Sequence, residues 1–122
     1  MFIRSDKNVA EALGIVFLLV MLLGFTPNPL VSPTGIFMVN AAHNMLHGML
    51  GLVLLAGAWR GYGKMTLIGV GVAYLLLGVA GYMGMAGDMV MLNMADHYLH
   101  LFLGVVLVAA GAYVKPTAAG KR

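Results

Sequence analysis

All four histidines of this 122-residue chain lie in two similar segments, NAAHNMLH at residues 40–47 and NMADHYLH at residues 93–100. Imidazole binds transition metals and haem iron, and it can relay protons. His43 and His47 are four residues apart, which places them on one face of a helix. Both segments are flanked by Leu, Val, Met and Gly, so any chemistry that they carry takes place in apolar surroundings.

The composition predicts that these surroundings are a lipid bilayer. Hydrophobic residues make up 61% of the chain and charged residues 9%, against about a quarter charged in ordinary soluble domains. A helix that crosses a bilayer needs about 17 to 25 mostly apolar residues. We therefore predict an all-α bundle of four transmembrane helices, forming one domain over residues 1–122, with Ser32 and Asp88 beginning the second and fourth helices. The predicted spans are 9–25, 36–58, 65–85 and 89–114.

The basic residues predict the orientation of the bundle. With four spans, all seven fall on the same side: Arg4, Lys7, Arg60, Lys64, Lys115, Lys121 and Arg122. Because cytoplasmic loops carry the excess of Lys and Arg, both termini are expected in the cytoplasm of a bacterium, with the chain in its inner membrane. The positive charge does not form a stripe with interleaved aromatic residues, so nucleic acid is not an expected partner.

The two histidine segments also predict an internal repeat. An offset of 53 residues aligns residues 38–58 with residues 91–111, and the shared residues include Asn, His and Gly as well as common apolar types. We interpret the chain as two parallel helical hairpins related by a pseudo-two-fold axis along the membrane normal. The equivalent pairs are Asn40 and Asn93, His47 and His100, and Gly51 and Gly104.

Each repeat carries one polar stripe at helical spacing. Ionisable side chains in a bilayer turn away from lipid and toward the interior of a bundle. The two stripes are therefore expected to face inward and to meet near the axis, where Asp96 could pair with His43. The stripe residues are Asn40, His43, Asn44, His47 and Gly51 on the second helix, and Asn93, Asp96, His97, His100 and Gly104 on the fourth.

The first interpretation of the stripes is structural. Asn and His side chains hydrogen-bond between membrane helices and hold them in register, a role that suits Asn40, Asn44 and Asn93 in particular. On this interpretation the chain is a small accessory or structural subunit of a larger membrane complex or a homo-oligomer. It is not expected to be an enzyme, because its two serines lie outside the predicted spans and its four carboxylates are spread over different depths.

The second interpretation is a ligand site. His43 and His47, completed by His100 with Asp96 or His97, supply enough ligands for zinc. Alternatively, His47 and His100 could be the axial ligands of a b-type haem, with Gly51 and Gly104 making room for the macrocycle, or one histidine could hold a chlorin pigment. Copper is a further candidate, because thioethers with imidazole suit Cu(I). The methionines that would serve it are Met83, Met85, Met91 and Met94.

The third interpretation is movement of protons or small solutes along the stripes. It is the weakest of the three, because only Glu11 continues a polar path toward the basic side.

The paired segments resemble a bacterial membrane family known as domain of unknown function 4383. That family is similar in having Asn-x-x-His-Asn-x-x-His on its second helix and Ala-Asp-x-x-Leu-His on its fourth. His97 stands where the family pattern has Asn. The resemblance implies the four-span fold and the polar stripe, and it implies no activity. The matching residues are Asn40, His43, Asn44 and His47, then Ala95, Asp96, Leu99 and His100.

Overall fold

Four long helices account for most of the protein. The computed structural model describes residues 5–85 and 90–116. Each helix is long and apolar enough to cross a bilayer, which confirms the predicted all-α, four-span bundle. Two short strands lie in the link between the first two helices and pair in parallel. The elements are α1 (Asp6–Gly24), β1 (Val31–Ser32), β2 (Phe37–Met38), α2 (Ala41–Trp59), α3 (Gly63–Tyr82) and α4 (Met94–Tyr113).

The second helix begins later than the sequence predicts. Ser32 does not start a helix, because it lies in β1 and donates its hydroxyl hydrogen to the carbonyl of Asn28, at 2.8 Å. The N-cap of α2 is Asn40, whose side chain accepts the backbone N–H of His43 at 2.9 Å. Apolar residues continue through the strand pair into the helix, so hydropathy alone does not mark the boundary.

The fourth helix is capped in the same way. Asp88, the predicted cap, lies outside the described residues, and α4 is capped instead by Asn93. The Asn93 side chain accepts the N–H of Asp96 at 2.9 Å, and the Asp96 carboxylate accepts the N–H of Asn93 at 2.9 Å. This reciprocal pair is a capping box, which satisfies two backbone donors at the helix start.

Glycines allow close contact within each hairpin. A Cβ on Gly51 would lie 2.9 Å from the carbonyl oxygen of Gly14, and one on Gly104 would lie 2.9 Å from that of Gly71. The α1–α2 and α3–α4 contacts therefore use equivalent glycines of the two segments. The internal repeat and its symmetry axis stay predictions. The buried apolar core that these contacts enclose consists of Ala10, Phe17, Leu54, Ala58, Leu67, Val70, Tyr74 and Leu107.

One end of the bundle, which we call the basic end, is tied together by two buried or half-buried charges. Asp6, at 2% exposure, accepts the backbone N–H of Lys64 in the first turn of α3, at 3.0 Å. The Nζ of Lys64 in turn donates to the carbonyls of Gly111 and Ala112 near the end of α4, at 2.6 and 3.0 Å. Each charge complements the dipole of the helix end that it contacts.

At the opposite end, the histidine end, the link between α1 and α2 covers the bundle. Asn28 organises this link, accepting the N–H of Val31 at 2.7 Å and donating to the carbonyl of Leu23 at 2.9 Å. The link is fastened to α4 through Asn93, whose Nδ2 donates to the carbonyl of Ile36 at 2.8 Å. These bonds hold β1 and β2 above the histidines.

Candidate metal centre

Three of the four histidines converge inside the histidine end. His43 and His47 project from the first two turns of α2, and His100 projects from the second turn of α4. One ring nitrogen from each lies within 4.8 Å of the others. The ring centroids of His43 and His47 are 4.6 Å apart, and those of His43 and His100 are 5.7 Å apart. We call these three residues the histidine cluster.

The orientation of His43 is fixed by a backbone carbonyl. Its Nδ1 lies 2.7 Å from the carbonyl oxygen of Met91, in the link before α4. Because a carbonyl can only accept, Nδ1 carries a hydrogen, which in the Nδ1–H tautomer leaves Nε2 as the acceptor nitrogen. Metal-ligating histidines are held in the same way, with the second ring N–H donated to a carbonyl or carboxylate.

Several buried nitrogens of the histidines have no hydrogen-bond partner among the described residues. They are Nε2 of His43 and Nδ1 of His47, His97 and His100. A buried polar atom left without a partner costs about 1–3 kcal/mol, so a finished hydrogen-bonded clamp would have paired them. In the histidine cluster one ring nitrogen of each histidine lies within 4.8 Å of the others, an arrangement that suits a cation.

Asp96 and His97, predicted as further ligands, lie outside the histidine cluster. Asp96 is 1% exposed and uses its carboxylate in the cap of α4. His97 packs against α3, where a Cβ on Gly81 would lie 2.5 Å from its Nδ1. Within residues 5–85 and 90–116 no ion pair joins Asp96 to His43, whose Nδ1 lies 2.7 Å from the Met91 carbonyl oxygen.

The asparagines of the stripes have structural contacts. Asn40 and Asn93 cap their helices, as described above. Asn44, at 1% exposure, donates through Nδ2 to the carbonyl of Met21 at 2.7 Å and packs against Gly24 of α1. The amides of the stripes thus hold the helices, although Oδ1 of Asn44, like the histidine nitrogens, has no hydrogen-bond partner among the described residues.

Tyr74 of α3 completes the wall of the site, and the sequence reasoning missed it. Its ring is 3% exposed and lies 5.1 Å from that of His100 and 5.7 Å, edge-on, from that of Phe17. A tyrosine near the middle of a predicted span was the available signal, because tyrosines of membrane helices otherwise concentrate at the interfaces.

Two cavities adjoin the histidine cluster. One, of about 260 Å³, lies between α1, α4 and the link, and the other, of about 200 Å³, lies toward α2 and α3. His47, Tyr74 and His100 line both, so they form the partition between the two spaces. Most of the other lining residues are apolar.

The positions of Gly51 and Gly104 do not provide space for a macrocycle beside the imidazoles. Gly51 lies against Gly14, and Gly104 lies against Gly71 and Leu75, so both serve contacts between helices. His43 also lies close to both of the proposed axial ligands, with its ring centroid 4.6 Å from that of His47 and 5.7 Å from that of His100.

The methionines proposed for Cu(I) do not converge on the site either. Met83, Met85 and Met94 are 65%, 71% and 51% exposed. Met91 contacts the cluster through its backbone carbonyl. The donors that the structure gathers within 4.8 Å of one another are imidazole nitrogens.

The fold and the site define a small helical membrane protein with a buried cluster of three histidines. Residues 7–113 match the family model described as Domain of unknown function (DUF4383), and the chain belongs to that family. No curated protein and no solved structure matches the chain.

Proposed function

We propose that this protein binds one divalent transition-metal ion, of the zinc class, through His43, His47 and His100. The observation that carries the proposal is the convergence of three buried ring nitrogens within 4.8 Å of one another. Support comes from the Met91 carbonyl, which holds His43 in the tautomer that leaves Nε2 free for a metal.

The donor set favours zinc over the other candidates. Three imidazoles with one position left open are typical of zinc sites that accept a further ligand. Thiolates are absent from the chain, and the exposed thioethers of Met83 and Met85 do not support Cu(I). The charge of the ion would be partly balanced by Asp96, which lines the cavity beside His47 and His100.

A metal at this point would also join the two hairpins. In the described part of the chain, α2 packs mainly against α1 and α4 mainly against α3. Ligands from both α2 and α4 would therefore tie the hairpins together, which suits a small accessory subunit. We further propose that it resides in the bacterial plasma membrane with its basic end in the cytoplasm, following the positive-inside rule.

The test is the metal content of the protein purified in mild detergent, equilibrated with a small excess of zinc and then freed of unbound zinc by gel filtration. We expect close to one zinc per chain, falling to background in His47→Ala and in His100→Ala. His97→Ala is the matched control, because it removes a buried histidine that lies close to His100 on α4 but outside the histidine cluster. This variant should retain the metal. Size-exclusion profiles and helical circular dichroism show whether each variant is folded.

A folded wild-type protein that takes up no zinc would contradict the proposal and leave a purely structural role for the stripes. Equal loss of zinc in His97→Ala would contradict the assignment of the three ligands.

A further inference from the structure

A second feature of the molecule is an open seam between α1 and α4. These two helices do not pack along their length within the described residues. At the basic end they leave a groove of about 640 Å³, and toward the histidine end the same pair of helices borders the cavity of about 260 Å³. The seam is lined from α1 by Val9, Leu13, Val16 and Val20 and from α4 by Leu99, Leu103, Val106 and Ala110.

The cavity of about 260 Å³ has apolar sides and a polar inner wall. The inner wall, which faces α2 and α3, carries His47, Tyr74, Asp96 and His100. His100 is 2% exposed and its Nδ1 has no partner among the described residues. No Lys or Arg is among the described residues that line the cavity. A buried imidazole nitrogen without a partner, at the end of an apolar pocket, indicates a ligand with a polar end and an apolar body.

We propose that this cavity binds a quinone or quinol that enters from the lipid between α1 and α4. The uncharged carbonyl or hydroxyl oxygens of its ring would meet the imidazole of His100 and the groups beside it, and its apolar tail would lie along the seam. The ring would rest among the aromatic side chains of Phe17, Phe37 and Tyr74, which border the same cavity.

The chemistry of the inner wall argues against a phospholipid or a fatty acid in the same place. In the protein without bound metal, Asp96 would disfavour a phosphate or carboxylate head, and no Lys or Arg among the described lining residues would balance one. The carbonyl oxygens of a quinone accept hydrogen bonds, and the hydroxyl groups of a quinol donate and accept them, which suits imidazole and tyrosine hydroxyl groups. Phe17 and Tyr74, already in edge-on contact at 5.7 Å, offer flat surfaces to a ring.

This inference goes beyond the metal proposal and does not require it. His43 separates the two, because it belongs to the histidine cluster but does not line the cavity of about 260 Å³. His43→Ala should therefore lose zinc and keep the quinone, so failure of one proposal is distinguishable from failure of the other.

The experiment measures binding of a decyl-substituted benzoquinone to the purified protein in detergent. Leu103→Trp places a large ring in the cavity, and we expect its affinity to fall about tenfold or more, because overpacking excludes the ligand. Val105→Trp is the matched control on the same helix, since Val105 is 59% exposed; it should bind like the wild type. Circular dichroism and size exclusion verify that both tryptophan variants are folded.

Two results would overturn the proposal. One is the absence of saturable quinone binding to the folded wild-type protein. The other is equal affinity in Leu103→Trp and wild type, which would place the quinone elsewhere in the protein or in the detergent. Displacement of the bound quinone by a fatty acid at comparable concentration would also overturn it, because the inner wall should reject an anionic head.

Discussion

The side-chain amide of Asn44, a residue of α2, forms a hydrogen bond to α1. Its Nδ2 donates to the carbonyl of Met21, at 2.7 Å, which is one of the last four carbonyls of α1. A helix cannot pair those carbonyls within itself. The amide fits because residue 24 is glycine, where any side chain would overlap it. Asn44 thus caps the end of α1 from the start of α2.

Replacing this amide is expected to weaken the first hairpin. Asn44→Leu keeps the side-chain volume but leaves the Met21 carbonyl without its donor, so we expect a loss of about 1–2 kcal/mol in the free energy of unfolding. Denaturant-induced unfolding in detergent micelles measures it. Met45→Leu is the control, because Met45 is 55% exposed on the outer face. Equal stability of the two variants would show that the amide bond contributes nothing.

Residue spacing predicts part of the arrangement of the histidines but not all of it. Four residues advance a helix by about 400°, so His43 and His47 point within about 40° of each other, and their shared direction was predictable. His97 and His100 are three apart and diverge by about 60°. That difference sends His97 against Gly81 of α3 and His100 into the cluster. Whether His97 or His100 joins the histidine cluster depends on the rotation of α4 about its own axis. Residue spacing does not determine that rotation.

At the scale of helices, packing within each hairpin depends on paired glycines. Gly51 faces the backbone of α1, where an added Cβ would lie 2.9 Å from the Gly14 carbonyl oxygen and 3.1 Å from Leu18 Cγ. Backbone atoms cannot move aside without separating the helices. Gly69 of α3, by contrast, faces open space within 4 Å.

Substitution of these glycines should therefore have opposite effects. Gly51→Ala is expected to lower the free energy of unfolding by about 1–3 kcal/mol through overpacking. Gly69→Ala should leave it unchanged or raise it by up to about 1 kcal/mol, because alanine favours a helix more than glycine does. Thermal unfolding followed by circular dichroism compares the two. A Gly51→Ala protein as stable as the wild type would contradict the close contact between α1 and α2.

The helices themselves were predictable because hydropathy reports length and apolar content, and all four spans are present. The residue at which α2 begins could not be predicted from hydropathy, because the link before it is apolar too. Ile36 to Val39 looks like the beginning of a span, but Phe37 and Met38 within it form β2 and pair with β1. The better signal was chemical: Asn93 followed three residues later by Asp96 is a capping pattern, and Asn40 occupies the equivalent position.

At the scale of the whole molecule, charge distinguishes the two ends. Lys7, Lys64 and Lys115 gather at the basic end, where Lys7 pairs with Glu11 at 3.6 Å. The described residues between Gly24 and Asn40, at the histidine end, include no Lys or Arg. This asymmetry is the physical basis for proposing an orientation.

Cysteine labelling tests that orientation directly, because the chain has no cysteine of its own. Thr34→Cys marks the link at the histidine end and Tyr62→Cys marks the turn at the basic end; both positions are exposed. In intact cells a small impermeant maleimide should label Thr34→Cys, and it should reach Tyr62→Cys only after permeabilisation. The reverse pattern would invert the proposed topology.

The contacts of Asp6 have a consequence for how the chain matures. Asp6 leaves the ribosome early, yet its carboxylate accepts from Lys64 and its backbone N–H donates to the carbonyl of Lys115, at 3.0 Å in each case. The first helix can thus enter the membrane long before the hydrogen bonds from its N-terminal end to Lys64 and Lys115 can form. The basic end closes only after residue 115 has been synthesised, because the carbonyl that accepts the Asp6 N–H belongs to Lys115.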